Sequence, residues 1–255
     1  MAALDEEQTL IRDQAKAWAS EQAPVQKFRE MRDSGIESAF TPSTWNEMVD
    51  MGWPGMIIPE QYGGSGLGFQ TFGLILEETG RQLTASPLFA SALVGASGII
   101  LGGSDAQKQQ VLPRIADGSA IVTLAVDEGP RHIPLRTSLA AGRTANGFSL
   151  SGNKAFVVEG AAATAFIVAA RTSGSPGEAG GITLFLVPAD TDGISRTRLA
   201  TVDSRGYANV AFDGVEVSDD VVLGSVDAGA GLLETILDRA RAGVAAEMLG
   251  TAGQA

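Results

Sequence analysis

The stretch from Asn146 to Gly160 decides the fold and reads Asn-Gly-Phe-Ser-Leu-Ser-Gly-Asn-Lys-Ala-Phe-Val-Val-Glu-Gly. Asn146-Gly147 is typical of a tight hairpin turn, because both residues tolerate the positive φ that such a turn needs. Residues 148–151 alternate apolar and polar side chains, which is the period of a half-buried strand. Gly152-Asn153 predicts a second turn, after which residues 154–158 form a second strand. The stretch therefore predicts two antiparallel strands that end at the edge of a β layer.

Composition sets the class of protein. The 255 residues are 44% hydrophobic and 19% charged, so the chain can bury a core and has room for one large domain or two modest ones. A net charge of −12 argues against a nucleic-acid partner. The absence of cysteine excludes disulfides, thiolate catalysis and zinc-thiolate sites, and no metal site is predicted. Neither a secretory signal nor an apolar run long enough to span a membrane is visible, so we expect a soluble, cytoplasmic protein.

Residues 1–118 predict an all-helical domain. An acidic first turn and spaced apolar residues indicate a helix from Leu4 to about Glu21, which Pro24 ends. The further predicted helices follow the Thr41-Pro42-Ser43 cap, run from Phe69 to Leu83 and from Leu88 to Leu101, and begin after Ser104. The glycine-rich loop from Pro59 to Gly68 is interpreted as a structural connection between helices. A phosphate cradle is the alternative, but neither a dinucleotide fingerprint nor a P-loop is present.

Residues 119–225 predict a β domain, and residues 226–255 the first helix of a C-terminal helical domain. Short strands at even spacing are typical of a small barrel or sandwich. The fold class is therefore α+β: a helical domain, then a β-barrel or sandwich, then the start of a second helical domain. The predicted strands are Ala120–Val126, Phe166–Ala170, Ile182–Val187, Ile194 to about Val202, and Asn209 to Val217. The helical pattern then returns from Ala230 to Ala255.

Several short sequence motifs, together with this order of domains, resemble the acyl-CoA dehydrogenase family. They are Pro59-Glu60-x-Tyr62-Gly63-Gly64-x-Gly66, Gly103-Ser104-x-x-Gln107-Lys108, Gly147-x-x-Leu150-x-Gly152-x-Lys154, Phe185-Leu186-Val187-Pro188, Arg205-Gly206, Phe212-x-x-Val215-x-Val217 and Asp238-Arg239-Ala240-Arg241. The resemblance covers nearly the whole chain. It implies a flavoprotein that binds FAD and removes hydrogens from the α and β carbons of an acyl-CoA thioester. It also implies an electron-transfer flavoprotein or similar acceptor as partner, and a homo- or hetero-oligomer.

The resemblance also implies where the cofactor and the substrate bind. A strand-loop from Leu124 to about Ile133 and the strand end at 156–158 would hold the flavin. The cofactor-binding residues implied in this way are Leu124, Val126, Asp127, Phe156, Val157 and Val158. Asp238 and Arg241 correspond to substrate-binding positions near the thioester. For Arg241, a salt bridge with Asp238 is an alternative role.

Three departures from the family pattern concern the chemistry. The loop at 127–132 reads Asp-Glu-Gly-Pro-Arg-His, so the family's serine is not evident. Val158 replaces a threonine whose hydroxyl would reach the flavin. Ala240 stands where one branch of the family carries its catalytic glutamate, and an alanine can move no proton. Glu234 and Glu247 lie on the same predicted helix but match no family position. No catalytic base is therefore identified.

Other titratable residues have plainer interpretations. His132 is the only histidine and is expected to face solvent on a loop. Glu77-Glu78 is expected to form a solvated helix face. Three functions remain open: a dehydrogenase given as a fragment or a naturally shortened chain, a non-catalytic partner subunit of a competent homologue, and a related flavin-dependent oxidase or monooxygenase. A fragment would leave apolar surface exposed on the helix after Ala230.

Overall fold

The structure is a computed structural model that describes residues 4–255. The first part of the chain is helical, as predicted. Its helices are α1 (Glu6–Gln22), α2 (Val25–Ser34), α3 (Pro42–Asp50), α4 (Gly68–Arg81), a π-helix (Leu88–Gly95) that continues into α5 (Ala96–Gly102), and α6 (Asp105–Ala116). The start predicted at Leu4 lies two residues before α1. Half of the residues of α2 carry a charge, and their weak apolar period left this helix unpredicted.

Side-chain caps determine where these helices begin. The side chains of Asp5 and Ser104 each accept a hydrogen bond from the backbone amide of the third residue of the helix that follows. That third residue is a glutamine, whose side-chain oxygen accepts a hydrogen bond from the amide of the capping residue. Thr41 caps α3 and Pro42 is its first residue, as the sequence predicts. The predicted start at Ser104 is likewise confirmed.

The glycine-rich loop at 59–68 is a structural connection in this fold. A Cβ atom on Gly64 would lie 2.0 Å from the Ile58 carbonyl oxygen, so only glycine fits there. The amides of Ser65, Gly66 and Leu67 donate to carbonyls of residues 55–58. Because carbonyls of the preceding residues 55–58 take up these amides, the amides are not free to hold a phosphate.

The β domain is confirmed, but it is one open sheet and not a closed barrel. Within residues 4–255, eight strands pair in the order β6-β7-β3-β2-β4-β5-β8, and β1 pairs with β4 in parallel. The sheet curls, so that Phe148 meets Phe185 at 5.1 Å between ring centroids. The strands are β1 (Val122–Ala125), β2 (Ala140–Arg143), β3 (Gly147–Val157), β4 (Ala165–Arg171), β5 (Ile182–Pro188), β6 (Ile194–Arg198), β7 (Ala208–Ser218) and β8 (Val222–Leu223).

Strand β3 corrects the prediction for the central stretch. The chain reverses near Asn146-Gly147 as predicted and joins β3 to β2, which the sequence did not predict. Only Gly147 of the two has a positive φ, and it is already the first residue of β3. Gly152-Asn153 forms no turn, and β3 runs through it as one strand of 11 residues. The pairing with β7 slips by one residue between Leu150 and Gly152, and Gly152 has φ +145°. The glycine therefore serves an irregular strand pairing and not a chain reversal.

Helix α7 (Gly229–Gln254) follows the sheet and packs along α4. Its inner face joins the helices and one face of the sheet in a single core through Leu233 and Ile236. Near its C-terminal end the helix leaves Met248 and Leu249 exposed, in line with the apolar surface expected on this helix. Because helices and sheet share this core, the boundaries 1–118, 119–225 and 226–255 stay predictions.

The prediction of a solvated Glu77-Glu78 face is wrong. The Glu78 side chain is buried, and Arg81 pairs with both carboxylates, with 3.0 Å from its Nε to Glu78. Helix α7 lies over this part of α4, which removes the pair from solvent. Separately, no helix among residues 4–255 is both long and apolar enough to cross a membrane.

Candidate functional site

A cavity opens at the edge of β1, between the end of β3 and helix α7. It has a volume of about 580 Å³ including its mouth, and its wall is mostly apolar. We call it the strand-edge cavity. All six predicted cofactor-binding residues line it: Leu124, Val126, Asp127, Phe156, Val157 and Val158. Phe89, Val94, Thr123, His132, Leu237 and Ala240 are also in its wall. Residues distant in sequence thus converge on one site.

An irregularity at the end of β3 turns Phe156 toward this cavity. Between Lys154 and Val157 the register against β7 shifts by one residue, and Phe156 adopts φ +51°. The extra residue bends the strand, as β-bulges do. The Asn209 side chain accepts the Phe156 amide at 3.2 Å, which replaces the lost strand partner. Phe156 is 50% exposed, so a large aromatic face remains available at the cavity.

The backbone of β1 faces the cavity with its unpaired edge. Ile121 accepts an amide of β4, and parallel strands bond alternate residues, so residues 121, 123 and 125 face β4. Leu124 and Val126 therefore direct their backbone groups to the opposite edge. The Val122 amide, which has the same parity, donates to the Ser91 hydroxyl at 3.0 Å. The edge thus offers hydrogen-bonding groups to whatever occupies the cavity.

A buried ion pair supports this edge from behind. The Lys154 ammonium donates to the Val126 carbonyl at 3.0 Å and to Glu128 at 2.7 Å. Glu128 also accepts the amides of Ser138 and Leu139 and the Ser138 hydroxyl. One carboxylate therefore joins the start of the 127–138 loop to its end and to β3.

The surroundings shift the pKa of both partners. Burial lowers the pKa of Lys154 to about 8, although the charge of Glu128 favours the ammonium form. Burial opposes ionisation of Glu128, but the charge of Lys154 and the hydrogen bonds around the carboxylate outweigh it and lower its pKa. At neutral pH both groups are charged, and three further donors hold the Glu128 carboxylate.

Val158 supplies no hydroxyl to the cavity, and the neighbouring threonine does not replace it. The Thr123 hydroxyl donates to the Val158 carbonyl at 2.6 Å, so its proton is already used. Ala240 faces the same cavity and carries no ionisable group. Both sequence departures therefore lie at the candidate site itself.

His132 lies exposed on a loop, as expected, and it is also a residue of the candidate site. Its Nδ1 lies 2.8 Å from Asp127, and both side chains line the strand-edge cavity, although His132 is half exposed. Within residues 4–255 these two are the titratable side chains in the cavity wall. Only the position of His132 within the predicted strand-loop signalled this role.

Asp238 and Arg241 lie outside the strand-edge cavity. Arg241 pairs with Asp238 at 2.5 Å and with Glu234 at 2.8 Å on the exposed side of α7. The alternative interpretation, a salt bridge, describes this arrangement. Their substrate-binding role stays a prediction.

A second, larger cavity adjoins the first and shares Phe89 and Val158 with it. It has a volume of about 1460 Å³ including its mouth and lies between the α4–π-helix connection, the loop before β7 and the C-terminal half of α7. We call it the helix–sheet cavity. Leu83, Val202, Val244 and Met248 give it a largely apolar wall. Glu159, for which the sequence predicts no role, also lines it.

Comparisons with known proteins agree with this architecture. The sequence pattern of the acyl-CoA dehydrogenase N-terminal domain matches residues 5–119, and that of the middle domain matches residues 132–215. The chain is 30% identical to the human mitochondrial very long-chain specific acyl-CoA dehydrogenase over 89% of its length. It is also 30% identical to the (2S)-methylsuccinyl-CoA dehydrogenase of Cereibacter sphaeroides over 99% of its length.

A solved structure gives the same result for the fold. The butyryl-CoA dehydrogenase from Megasphaera elsdenii superimposes with a TM-score of 0.87 at 25% identity, over 98% of this chain and 67% of that one. The chain belongs to the acyl-CoA dehydrogenase family. It spans 37% and 48% of the lengths of the two curated relatives named above.

Proposed function

We propose that this chain is the flavin-binding part of an FAD-dependent acyl-CoA dehydrogenase that acts on the α and β carbons of an acyl-CoA thioester. The observation that carries this proposal is the convergence of all six predicted cofactor residues on the strand-edge cavity. In such a reaction one group takes a proton from the α carbon, and the β hydrogen leaves as a hydride. FAD supplies the acceptor for that hydride when it is bound.

The residues present suit a flat aromatic ring with polar edges. Phe156 offers an exposed aromatic face, and aromatic rings pack favourably against one another. The backbone groups of Leu124 and the Val126 amide offer donors and an acceptor at the strand edge, while the Val126 carbonyl already accepts from Lys154. Lys154 and Glu128 would keep that edge in place. The missing hydroxyl at Val158 removes one hydrogen bond, which is worth about 0.5–1.5 kcal/mol, so binding would be weakened and not lost.

The helix–sheet cavity is the proposed place for the acyl chain. It adjoins the strand-edge cavity through Phe89 and Val158, and its wall is largely apolar. Burial of methylene groups there would stabilise the complex by about 0.8 kcal/mol each.

The proposal includes an electron-transfer flavoprotein or similar acceptor as partner, a homo- or hetero-oligomeric state and a cytoplasmic location. It also keeps the three domain boundaries given above. The human relative is named as mitochondrial, so fractionation of cells is the check on location.

A second function is favoured by Ala240. It faces the strand-edge cavity where a branch of the family carries the base, and the titratable side chains described in that wall, Asp127 and His132, bind each other. A non-catalytic partner subunit that stabilises a competent homologue would need no base. This function and the first share the fold and the flavin, so only turnover separates them.

Anaerobic reduction of the flavin tests both functions. The chain is loaded with FAD, octanoyl-CoA is added without oxygen, and the visible flavin band is followed. Bleaching in the unaltered chain supports the dehydrogenase, with a base other than residue 240. A stable band that bleaches only in Ala240→Glu supports the partner subunit, since the variant restores a carboxylate to the cavity. Ala242→Glu is the matched control, because it adds the same carboxylate to an exposed position of the same helix outside the cavity wall. No bleaching in any variant contradicts the dehydrogenase.

A further inference from the structure

The helix–sheet cavity contains buried polar atoms that have no partner. Glu159 is only 3% exposed, and its Oε2 forms no hydrogen bond. The Thr84 hydroxyl, in the wall of the same cavity, is also buried and without a partner. Buried polar groups are satisfied in the great majority of cases, because an unmet one costs about 1–3 kcal/mol. Two such groups in one cavity wall indicate that something else satisfies them.

The backbone around Glu159 is built to hold the carboxyl in this position. Glu159 adopts φ +52°, an unusual conformation for a residue with a side chain. A Cβ atom on Gly206 would lie 2.5 Å from Oε2, so the absence of a side chain there leaves room for the carboxyl. Strained residues of this kind persist where the surrounding structure determines them, and they cluster at ligand sites.

The charges of the cavity determine which chemistry fits. Arg205 forms an ion pair with Glu247 of α7, so its charge is already partly neutralised. Asp203 and Tyr207 face the same space from the loop before β7. Burial raises the pKa of Glu159 to about 7, and the charge of Arg205 and a hydrogen bond from the Gly206 amide oppose this only in part. Three carboxyl groups thus surround one guanidinium. A ligand carboxylate would be repelled here, whereas a hydrogen-bond donor would be attracted.

We propose that the acyl group taken by the helix–sheet cavity carries a hydrogen-bond donor that pairs with Glu159 and Thr84. This inference rests on the proposed function, because it names the kind of acyl thioester that the enzyme accepts. The donor is a hydroxyl or an ammonium group, and both satisfy the unpaired oxygen. A plain hydrocarbon chain leaves Glu159 and Thr84 unpaired, so the site discriminates against it.

The test compares three acyl-CoA probes of equal length by calorimetric titration of the flavin-loaded chain: octanoyl-CoA, ω-hydroxyoctanoyl-CoA and ω-aminooctanoyl-CoA. The series is repeated from butanoyl to decanoyl, so that one member brings the donor to Glu159. We expect at least one substituted probe to bind about tenfold more tightly than its plain counterpart, the effect of one hydrogen bond to a charged group. If the donor is an ammonium group, its advantage grows as the pH rises through about 7.

Three variants assign the effect to its residues. Glu159→Gln and Thr84→Val are expected to reduce the preference for the substituted probe, and the plain probe binds as before or better. Glu234→Gln removes an exposed carboxylate of α7 outside both cavities and is expected to keep the preference. Thr84→Val keeps the side-chain shape, so it provides a folded variant if Glu159→Gln does not fold.

Three results overturn the inference. Equal affinities across every plain and substituted pair contradict it while leaving the proposed function intact. A preference that survives in both Glu159→Gln and Thr84→Val also contradicts it, because other residues then recognise the donor. Failure of every acyl-CoA to bind a chain that retains FAD overturns the proposed acyl site and this inference together.

Discussion

Glu128 lies after the end of β1 and Glu159 after the end of β3, and their surroundings are opposite. Glu128 accepts four hydrogen bonds and an ion pair, and these lower its pKa. Glu159 is more deeply buried, keeps an unpaired oxygen and has its pKa raised to about 7. The satisfied carboxylate fixes the backbone that lines the strand-edge cavity. The unsatisfied one destabilises the fold and is left for a ligand. The comparison separates a structural carboxylate from a functional one.

The largest expected effect is at the satisfied carboxylate. Glu128→Gln keeps the side-chain shape but leaves the buried Lys154 ammonium without its counter-charge. Breaking a buried pair in this way costs about 3–5 kcal/mol, so denaturant unfolding at about pH 7 should show a loss of that order. Lys154→Met is the matched control and should cost less, because Glu128 retains the donors of Ser138 and Leu139.

The pH dependence of this loss sharpens the test. The pKa of Lys154 is lowered to about 8, so at higher pH the lysine is neutral in the unaltered chain as well. The stability difference between Glu128→Gln and the unaltered chain should therefore shrink at about pH 10. A difference that is constant with pH would contradict the assignment of the cost to the buried charge.

The unsatisfied carboxylate should show the opposite sign. Because the folded-state pKa of Glu159 is raised, its contribution to stability is complete below about pH 4.5 and is lost as the pH rises through about 7. At about 1.4 kcal/mol for each pH unit, the loss is about 3 kcal/mol. Glu159→Gln should remove this decline. We expect the variant to gain on the unaltered chain between pH 5 and pH 7 in thermal unfolding, by about 3 kcal/mol at most.

The control for this prediction is the exposed carboxylate Glu234. Glu234→Gln should leave the decline with pH unchanged, because its side chain is 58% exposed and pairs with Arg241 outside the core. A Glu159→Gln variant whose stability falls with pH as steeply as that of the unaltered chain would show that another group titrates in this range.

The smallest effect concerns Val158, which lies in the wall of both cavities. Val158→Thr restores a hydroxyl where the family has one, and it should strengthen FAD binding by about 1 kcal/mol, or about fivefold. Val158→Ala is the control, since it shortens the side chain without adding a donor. Fluorescence titration of FAD measures both. Equal affinity of the threonine variant and the unaltered chain would mean that residue 158 does not face the bound ring's polar edge.

The sequence predicted the parts of the molecule that local patterns determine. Capping at Ser104 and the hairpin at Asn146-Gly147 depend on neighbouring residues, and the structure confirms both. Gly152 was misinterpreted because a glycine in an irregular strand pairing and a glycine in a turn look alike in sequence. The sequence does not predict the open sheet, because the spacing of strands along the chain does not show which strand edges stay unpaired.

The candidate site was predictable in its backbone and less so in its charges. The six cofactor positions came from a resemblance, and the structure brings them together in one cavity. The burial of Glu78 and the convergence of Glu159, Arg205 and Glu247 depend on how α7 packs, and no local pattern carries that information. His132 joined the site because Asp127 holds it at the cavity.

The visible absorption spectrum of the chain, after addition of FAD and removal of the excess, tests flavin binding at the strand-edge cavity most directly. We expect a bound-flavin band in the unaltered chain and in Leu10→Ala, which removes an exposed apolar side chain of α1 that is not in the wall of the strand-edge cavity. We expect a weakened band in Phe156→Ala, which removes the aromatic wall of that cavity. The absence of a band in the unaltered chain, or an equal band in all three, would contradict flavin binding at the strand-edge cavity.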